Sequence, residues 1–245
     1  VMQCRRALEE AGGDMKTALA ILKKNSASIA EKKIGRQAND GAVTIASDDK
    51  ASALVSLHCE TDFVSRNEDF TNLLHKLGAL ALEKMSAQGG PASGWKAEAK
   101  EMINPVIQKT GENIQLGECF EIKGEVLGNY VHNNKIAVIV SLEGGNKELA
   151  KDIAMHITAM KPEYMTEAEI NSEAREMMTE VFKKEVAGVD KPEEIKKKML
   201  DGKIATYFKE KTLTHQPFIK DGDMTVGQLL EKSKAKIKEV KRYSI

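Results

Sequence analysis

Residues 58–63 read His58, Cys59, Glu60, Thr61, Asp62 and Phe63, which places an imidazole, a thiol and two carboxylates side by side. Two kinds of chemistry ask for such groups. A thiol nucleophile at Cys59 would need a base such as His58, His75 or His132 within hydrogen-bond reach. A metal site would need donors converging on one point, but adjacent strand residues face opposite ways, and no CxxC or HxxxH spacing supplies further ligands. A packed cysteine meets the sequence with fewer conditions. Phosphate binding is not signalled either, because Gly89-Gly90 and Gly144-Gly145 lack the lysine and the strand-to-helix setting of a phosphate loop. The expectation is a chain with no catalytic residues, no metal ligands and no cofactor.

What the stretch does hold is an acidic side chain, Asp62, beside an aromatic one, Phe63, in a chain that is only 4% aromatic. A buried-strand pattern over residues 53–59 runs into it, and a capped helix starting near Ser65 or Asn67 leaves it, so residues 60–64 form a short turn between rigid elements. Two readings stay open on physical grounds. In one, Asp62 makes a local turn hydrogen bond while Phe63 and Val64 fold back into the core. In the other, Thr61, Asp62, Phe63 and Val64 present a carboxylate and an aromatic ring to a partner from a loop on a rigid scaffold.

The other polar candidates divide by context. His75 lies opposite the apolar stripe of its helix, whereas His156 lies on such a stripe, where a hydrogen-bonded core histidine is expected. His132 sits at a hairpin tip, as an ordinary turn residue or as an exposed contact. The lysines of residues 232–241 alternate with Ala235, Ile237 and Val240 as one solvated strand face would, which does not argue for nucleic acid.

Composition narrows the class. At 245 residues, 41% hydrophobic and 30% charged, the chain can bury a sizeable core and does not read as disordered. Lys plus Arg equals Asp plus Glu, 37 each, so there is no net pull toward nucleic acid or an anionic membrane. The longest apolar run, residues 136–140, is far too short for a bilayer, and charges from Arg5 to Asp14 do not suit a signal peptide. Three widely separated cysteines fit a reducing, intracellular setting.

The elements that must position the turn follow in order. Residues 2–11 read as a helix stopped by Gly12-Gly13; Asp14 caps a second, ten-residue-scale helix with Met15, Ala18, Leu19 and Leu22 inward; and residues 25–40 read as a linker or short exposed helix. Two such helices cannot bury both apolar faces between themselves, so a third helix is expected before Val1. From Gly41 the period becomes that of strands: residues 42–46, a turn at 47–50, and residues 53–59, then a helix with Phe70, Leu73, Leu74, Leu77 and Ala81 on one face. The same ββα order recurs over 124–131, 136–142 and a helix carrying Leu149, Ile153, His156 and Met160. Residues 53–57 and 138–142 share a pattern, which suggests an internal duplication of about 85 residues.

Between these units, residues 89–94 read as a loop, Asn104-Pro105 as a helix start and Gly111 as a stop. After Lys161-Pro162 comes a charged helical hairpin, with Ile170, Ala174, Met177 and Val181 at heptad-like spacing and a turn at Gly188 to Pro192. Extended residues 216–219, a short helix over 226–230 and a last strand through Ile237, Val240 and Tyr243 complete the pattern. The fold class expected is α+β: a truncated N-terminal helical module, two related subdomains with antiparallel sheets, and a projecting helical hairpin. The divisions are 1–36, 37–124 and 125–245, the last containing the hairpin insertion 165–211.

Taken together, the motifs resemble the elongation factor Ts family, whose members are guanine nucleotide exchange factors for elongation factor Tu. The residues that carry the resemblance are 2–8 with Gly12-Gly13-Asp14, residues 59–64, Gly111-Glu112-Asn113-Ile114, residues 126–132, residues 153–156 with 161–163, and Gln216-Pro217-Phe218 with 225–230. They span nearly the whole chain in the family's order.

The resemblance implies a ubiquitin-associated-like N-terminal module whose first helix is absent before Val1, and a coiled-coil arm at 165–211. It implies that Asp62 and Phe63 enter the nucleotide domain of elongation factor Tu and displace the elements holding Mg²⁺ and the GDP phosphates. Met2, Arg5 and Lys33 would add contacts, and Gly111, His132 and Ile219 would face the partner. Thr110 departs from the branched apolar residue common in the family. No covalent catalysis, nucleic acid or membrane is implied, and the setting is the bacterial cytoplasm or an organelle. The arm could instead meet a second copy of the chain in a homodimer. A helical scaffolding protein that binds a partner without changing its nucleotide affinity is the alternative from a different class.

Overall fold

The structure, a computed structural model, describes residues 2–88 and 94–245. Its helical N-terminal part consists of α1 (Met2–Glu10) and α2 (Met15–Glu31). Gly12 and Gly13 take positive φ, as a tight helix stop requires, and the Asp14 carboxylate accepts from the Thr17 N–H at 2.6 Å to start α2. The inward face of α2 differs from the sequence expectation. Met15 and Leu19 are exposed, and Ala18, Ser26 and Ala30 are buried, so the helix continues through the stretch read as a linker. The cause is α5 (Gly94–Thr110), against which α2 packs: small residues let the two axes approach, and the Ser26 hydroxyl reaches both the Leu22 carbonyl and Gln108.

Two antiparallel three-stranded sheets form the centre. The first contains β1 (Asp40–Ser47), β2 (Ala51–Cys59) and β3 (Gln115–Lys123), with β2 in the middle. Between β2 and β3 run α3 (Asp62–Ser65), α4 (Glu68–Gln88) and α5. The second sheet contains β4 (Val126–His132), β5 (Ile136–Glu143) and β8 (Lys236–Ser244), with β5 in the middle and α6 (Lys147–Met160) on its outer face. Alternation along the central strands explains the layering. From β2, Ala53, Val55, Leu57 and Cys59 pack with Phe70, Leu74 and Leu77 of α4, while Leu54 faces the other sheet with Leu127 and Ile139. From β5, Val138, Val140 and Leu142 pack on Leu149 and Ile153 of α6. The order is helix, sheet, sheet, helix, an α+β arrangement.

Three further expectations need correction. Asn104-Pro105 does not begin a helix, because α5 runs through Pro105. Burial of Trp95, Ala99, Ile103 and Ile107 along one stripe outweighs the backbone hydrogen bond that proline removes. Met160 does not lie inside; it is exposed at the end of α6, next to Lys161 in the left-handed conformation. In the helical hairpin, α7 (Ser172–Ala187) and α8 (Glu193–Lys211) pair, but Met177 and Val181 face outward. The seam instead uses Phe182 against Tyr207 and the buried Val186, which lie four residues apart on one helical face. The loop expected at 89–94 falls almost entirely outside the described residues. The chain closes through β6 (Pro217–Phe218), β7 (Asp221–Thr225), the short helix α9 (Val226–Lys232) and β8. No described helix is long and apolar enough to cross a membrane.

Candidate functional site

The turn after β2 is shaped by what lies on either side of it. Cys59 ends the strand in the core, and Asp62–Ser65 form one helical turn, α3, rather than a plain loop, closed by Ser65 N–H to the Thr61 carbonyl and Arg66 N–H to the Asp62 carbonyl, both at 3.2 Å. Asn67 then starts α4, its side-chain oxygen accepting from the Asp69 N–H at 2.9 Å. Val64 is half-buried and packs on the first core, and Ser65 is buried, its hydroxyl donating to the Asp62 carbonyl at 3.1 Å. Phe63 points the other way and is 84% exposed. The two readings of the turn are thus divided between neighbours: Val64 anchors and Phe63 projects. Among the described residues Asp62 pairs with Arg66, at 3.2 Å on the surface, a contact too weak to hold the carboxylate back from a partner.

The turn is braced from outside. The Glu112 carboxylate accepts from the Glu60 and Thr61 N–H groups, each at 3.1 Å, and from the Thr61 hydroxyl at 2.6 Å. In return, Glu60 accepts from the Asn113 N–H at 2.7 Å; that bond, helped by Arg36, draws the Glu60 carboxyl below its usual range despite some desolvation. Glu112 follows Gly111, which takes φ +80° to end α5 and whose carbonyl receives the Lys33 ammonium. At the same end of the sheets, Lys135 of the β4–β5 turn donates to Asp40 at 2.7 Å and to the Gly41 carbonyl at 2.6 Å. Burial raises the Asp40 carboxyl, but hydrogen bonds from Lys135, Ser65 and Gly41 overcome it and hold the group at about 2.

The thiol beneath the turn sits in surroundings that disfavour its thiolate. Burial, together with the charges of Asp40 and Glu112, pushes the Cys59 thiol up to about 12, and Sγ donates to the Thr61 carbonyl at 3.2 Å. His58 faces the second sheet, where Nε2 shares a hydrogen bond with the Tyr243 hydroxyl at 2.9 Å. Among the described residues no group of His, Cys, Asp or Glu is placed to hold a metal ion.

The structure gathers some of the candidate residues and leaves others apart. Thr61, Asp62, Phe63 and Val64 form the turn; Gly111 and Lys33 adjoin it through Glu112; and His132, exposed on the hairpin that carries Lys135, lies at the same end. Met2 and Arg5 are exposed on α1, where Arg5 pairs with Glu9, and no described contact joins them to the turn. Ile219 is half-exposed, and its N–H donates to Nδ1 of the buried His156 at 3.2 Å. The second His156 nitrogen meets Gln216 at 2.9 Å, and burial lowers the imidazole's basicity, so this is the satisfied core histidine its helix pattern implied. Sequence reasoning missed Glu112, Asp40 and Lys135 as site residues. Glu112 and its partners in the turn, and Asp40 and Lys135, lie 51 to 95 positions apart along the chain, beyond any local pattern.

Fold and site together define an α+β protein that holds out an acidic and an aromatic side chain on a braced helical turn. The family described as Elongation factor TS matches residues 60–245. Elongation factor Ts of Thioalkalivibrio sulfidiphilus is 39% identical over all of this chain and 86% of its own length, and that of Hahella chejuensis is 39% identical with the same coverage. Elongation factor Ts of Pseudomonas syringae pv. tomato is 38% identical over 97% of this chain and 82% of its own length. The chain belongs to the elongation factor Ts family.

Proposed function

We propose that this chain is a guanine nucleotide exchange factor that binds elongation factor Tu and promotes GDP release, with Asp62 and Phe63 displacing the elements that hold Mg²⁺ and the GDP phosphates. The observation that carries this reading is Phe63, a large apolar ring kept 84% exposed beside a weakly paired carboxylate while Val64 anchors the turn. Such a ring gains by entering a partner: burying it is worth about 1.5–3 kcal/mol. At about 1.4 kcal/mol per decade of rate, that covers one to two decades of accelerated release. Any acceleration beyond that is assigned to contacts spread more widely, at Met2, Arg5, Lys33, Gly111, His132 and Ile219. Within this reading the chain divides into a helical part, 1–36, and two core subdomains, 37–124 and 125–245, the second carrying the arm at 165–211.

The mechanism needs no acid, base or cofactor from this chain. Binding GDP-bound and empty partner equally would leave occupancy unchanged, so the factor must grip the nucleotide-free conformation more tightly. By linkage, nucleotide and factor then weaken each other's binding. Replacement Phe63→Ala is expected to slow stimulated GDP release by at least tenfold with the circular dichroism spectrum intact. Unchanged release kinetics would remove the role given to the turn, and unchanged GDP affinity of the partner with and without the wild-type chain would remove exchange altogether in favour of scaffolding.

A further inference from the structure

The helical turn that carries Phe63 cannot hold its own orientation. It is four residues long, shorter than any helix that is stable by itself, and the side chain of its N-cap, Thr61, makes no capping bond to it. The Thr61 hydroxyl is instead spent on Glu112, together with the N–H groups of Glu60 and Thr61. Glu60 reciprocates on the Asn113 N–H. Each segment's carboxylate therefore satisfies the other's amides, closing a clasp between residues 60–61 and 112–113. The far side is fixed too, since Gly111 takes a conformation that few residues adopt and Lys33 holds its carbonyl.

We propose that Glu112 is a positioning residue for nucleotide exchange: its carboxylate locks the Glu60–Thr61 backbone and so pre-orients Phe63 before the partner is met. This rests on the exchange reading above and adds to it. A ring delivered in its bound orientation avoids ordering cost at the moment of binding, which is where a rigid loop gains over a mobile one. The carboxylate fits this task in a way other side chains do not. It accepts three hydrogen bonds through two oxygens, whereas glutamine keeps one acceptor for the two N–H groups and can donate to the Thr61 oxygen, and aspartate is one methylene short.

The test uses the full chain with Glu112→Ala, Glu112→Asp and Glu112→Gln, each also combined with Phe63→Ala. Hydrogen exchange at the Glu60 and Thr61 amides is read in the free protein, and stimulated GDP release is read with purified elongation factor Tu·GDP. Alanine and aspartate are expected to speed exchange at both amides more than tenfold and to slow GDP release about tenfold. Glutamine should recover most of both. In the Phe63→Ala background the alanine change should add less than twofold, because Glu112 acts through that ring. Unchanged amide exchange overturns the proposal, as does a full additional loss in the Phe63→Ala background, which would mean that Glu112 touches the partner itself. Normal release by Glu112→Ala beside slow release by Phe63→Ala overturns the clasp alone. Normal release by Phe63→Ala overturns the role given to the turn and the clasp's part in it together, while exchange as such is judged by the wild-type chain's effect on the partner's GDP affinity.

Discussion

Phe63 and Val64 are adjacent apolar residues with opposite fates, and the difference is one of direction around a single helical turn. Val64 and Ser65 face the first core, so Phe63, one position earlier, must face away. Asp40 receives the Lys135 ammonium at 2.7 Å. Its folded carboxyl sits at about 2, below the ordinary value of 3.8, so its contribution to stability is complete above about pH 4 and is lost as pH falls toward 2. Discounted for partial exposure, replacement Asp40→Asn should cost about 1–2 kcal/mol at pH 7. In urea titrations, the gap from the parent protein should close between pH 4 and pH 2. A gap constant with pH would mean that the Lys135 contact contributes nothing through charge. Composition made an aromatic residue beside a carboxylate conspicuous at residues 62–63, but whether the ring was buried or exposed was decided only by the fold. The Asp40–Lys135 pair had no such signature, because Asp40 begins a strand of one sheet and Lys135 sits in a turn of the other, 95 positions away.

At the scale of elements, strongly periodic segments were legible and weakly periodic ones were not. Both hairpins, the helices after them and the paired arm helices follow from apolar spacing and turn residues; Asn133 and Asn134, at φ 49° and 55°, make the kind of tight turn that asparagine permits. β3 was not legible, since as an edge strand it mixes exposed and half-buried positions without alternation. Pro105 misled for a different reason: the stripe on either side of it outweighs its local cost. One glycine marks a contact between elements that no period reveals. A Cβ on Gly128 of β4 would lie 2.0 Å from the Ala150 backbone of α6, so strand and helix meet there without a side chain between them. Gly128→Ala should therefore destabilise the chain by at least about 2 kcal/mol, since backbone rather than a mobile side chain must move. A thermal midpoint within a degree of the parent would show that α6 shifts freely.

At the scale of the whole molecule, the two sheets are held together by a mostly apolar interface around Val43, Leu54, Ile122, Leu127, Ala137 and Ile139, with polar links at its margins. The His58–Tyr243 bond is one of these, and the Val43 N–H to the Asn134 carbonyl, at 2.8 Å, is another. Tyr243→Phe keeps the ring against Phe120 while deleting the hydroxyl, and should cost about 1 kcal/mol without altering GDP release. A tenfold loss of exchange from this change would mean that the relative placement of the sheets, rather than the turn alone, sets activity. The turn, the Gly111–Asn113 segment and the Lys135 hairpin all sit at one end of this double sheet. A partner approaching that end meets groups drawn from both halves of the chain.

The sequence by itself determined the α+β class, the paired ββα order, the arm and the turn at residues 60–64, because apolar period, caps and turn residues act over a few positions and are written locally. Only the tertiary structure decided that Phe63 projects while Val64 anchors, that α2 buries its small residues against α5, and that Glu112 clasps the turn. Those outcomes depend on which surfaces meet, and contacts between residues 50 or more positions apart leave no trace in local spacing.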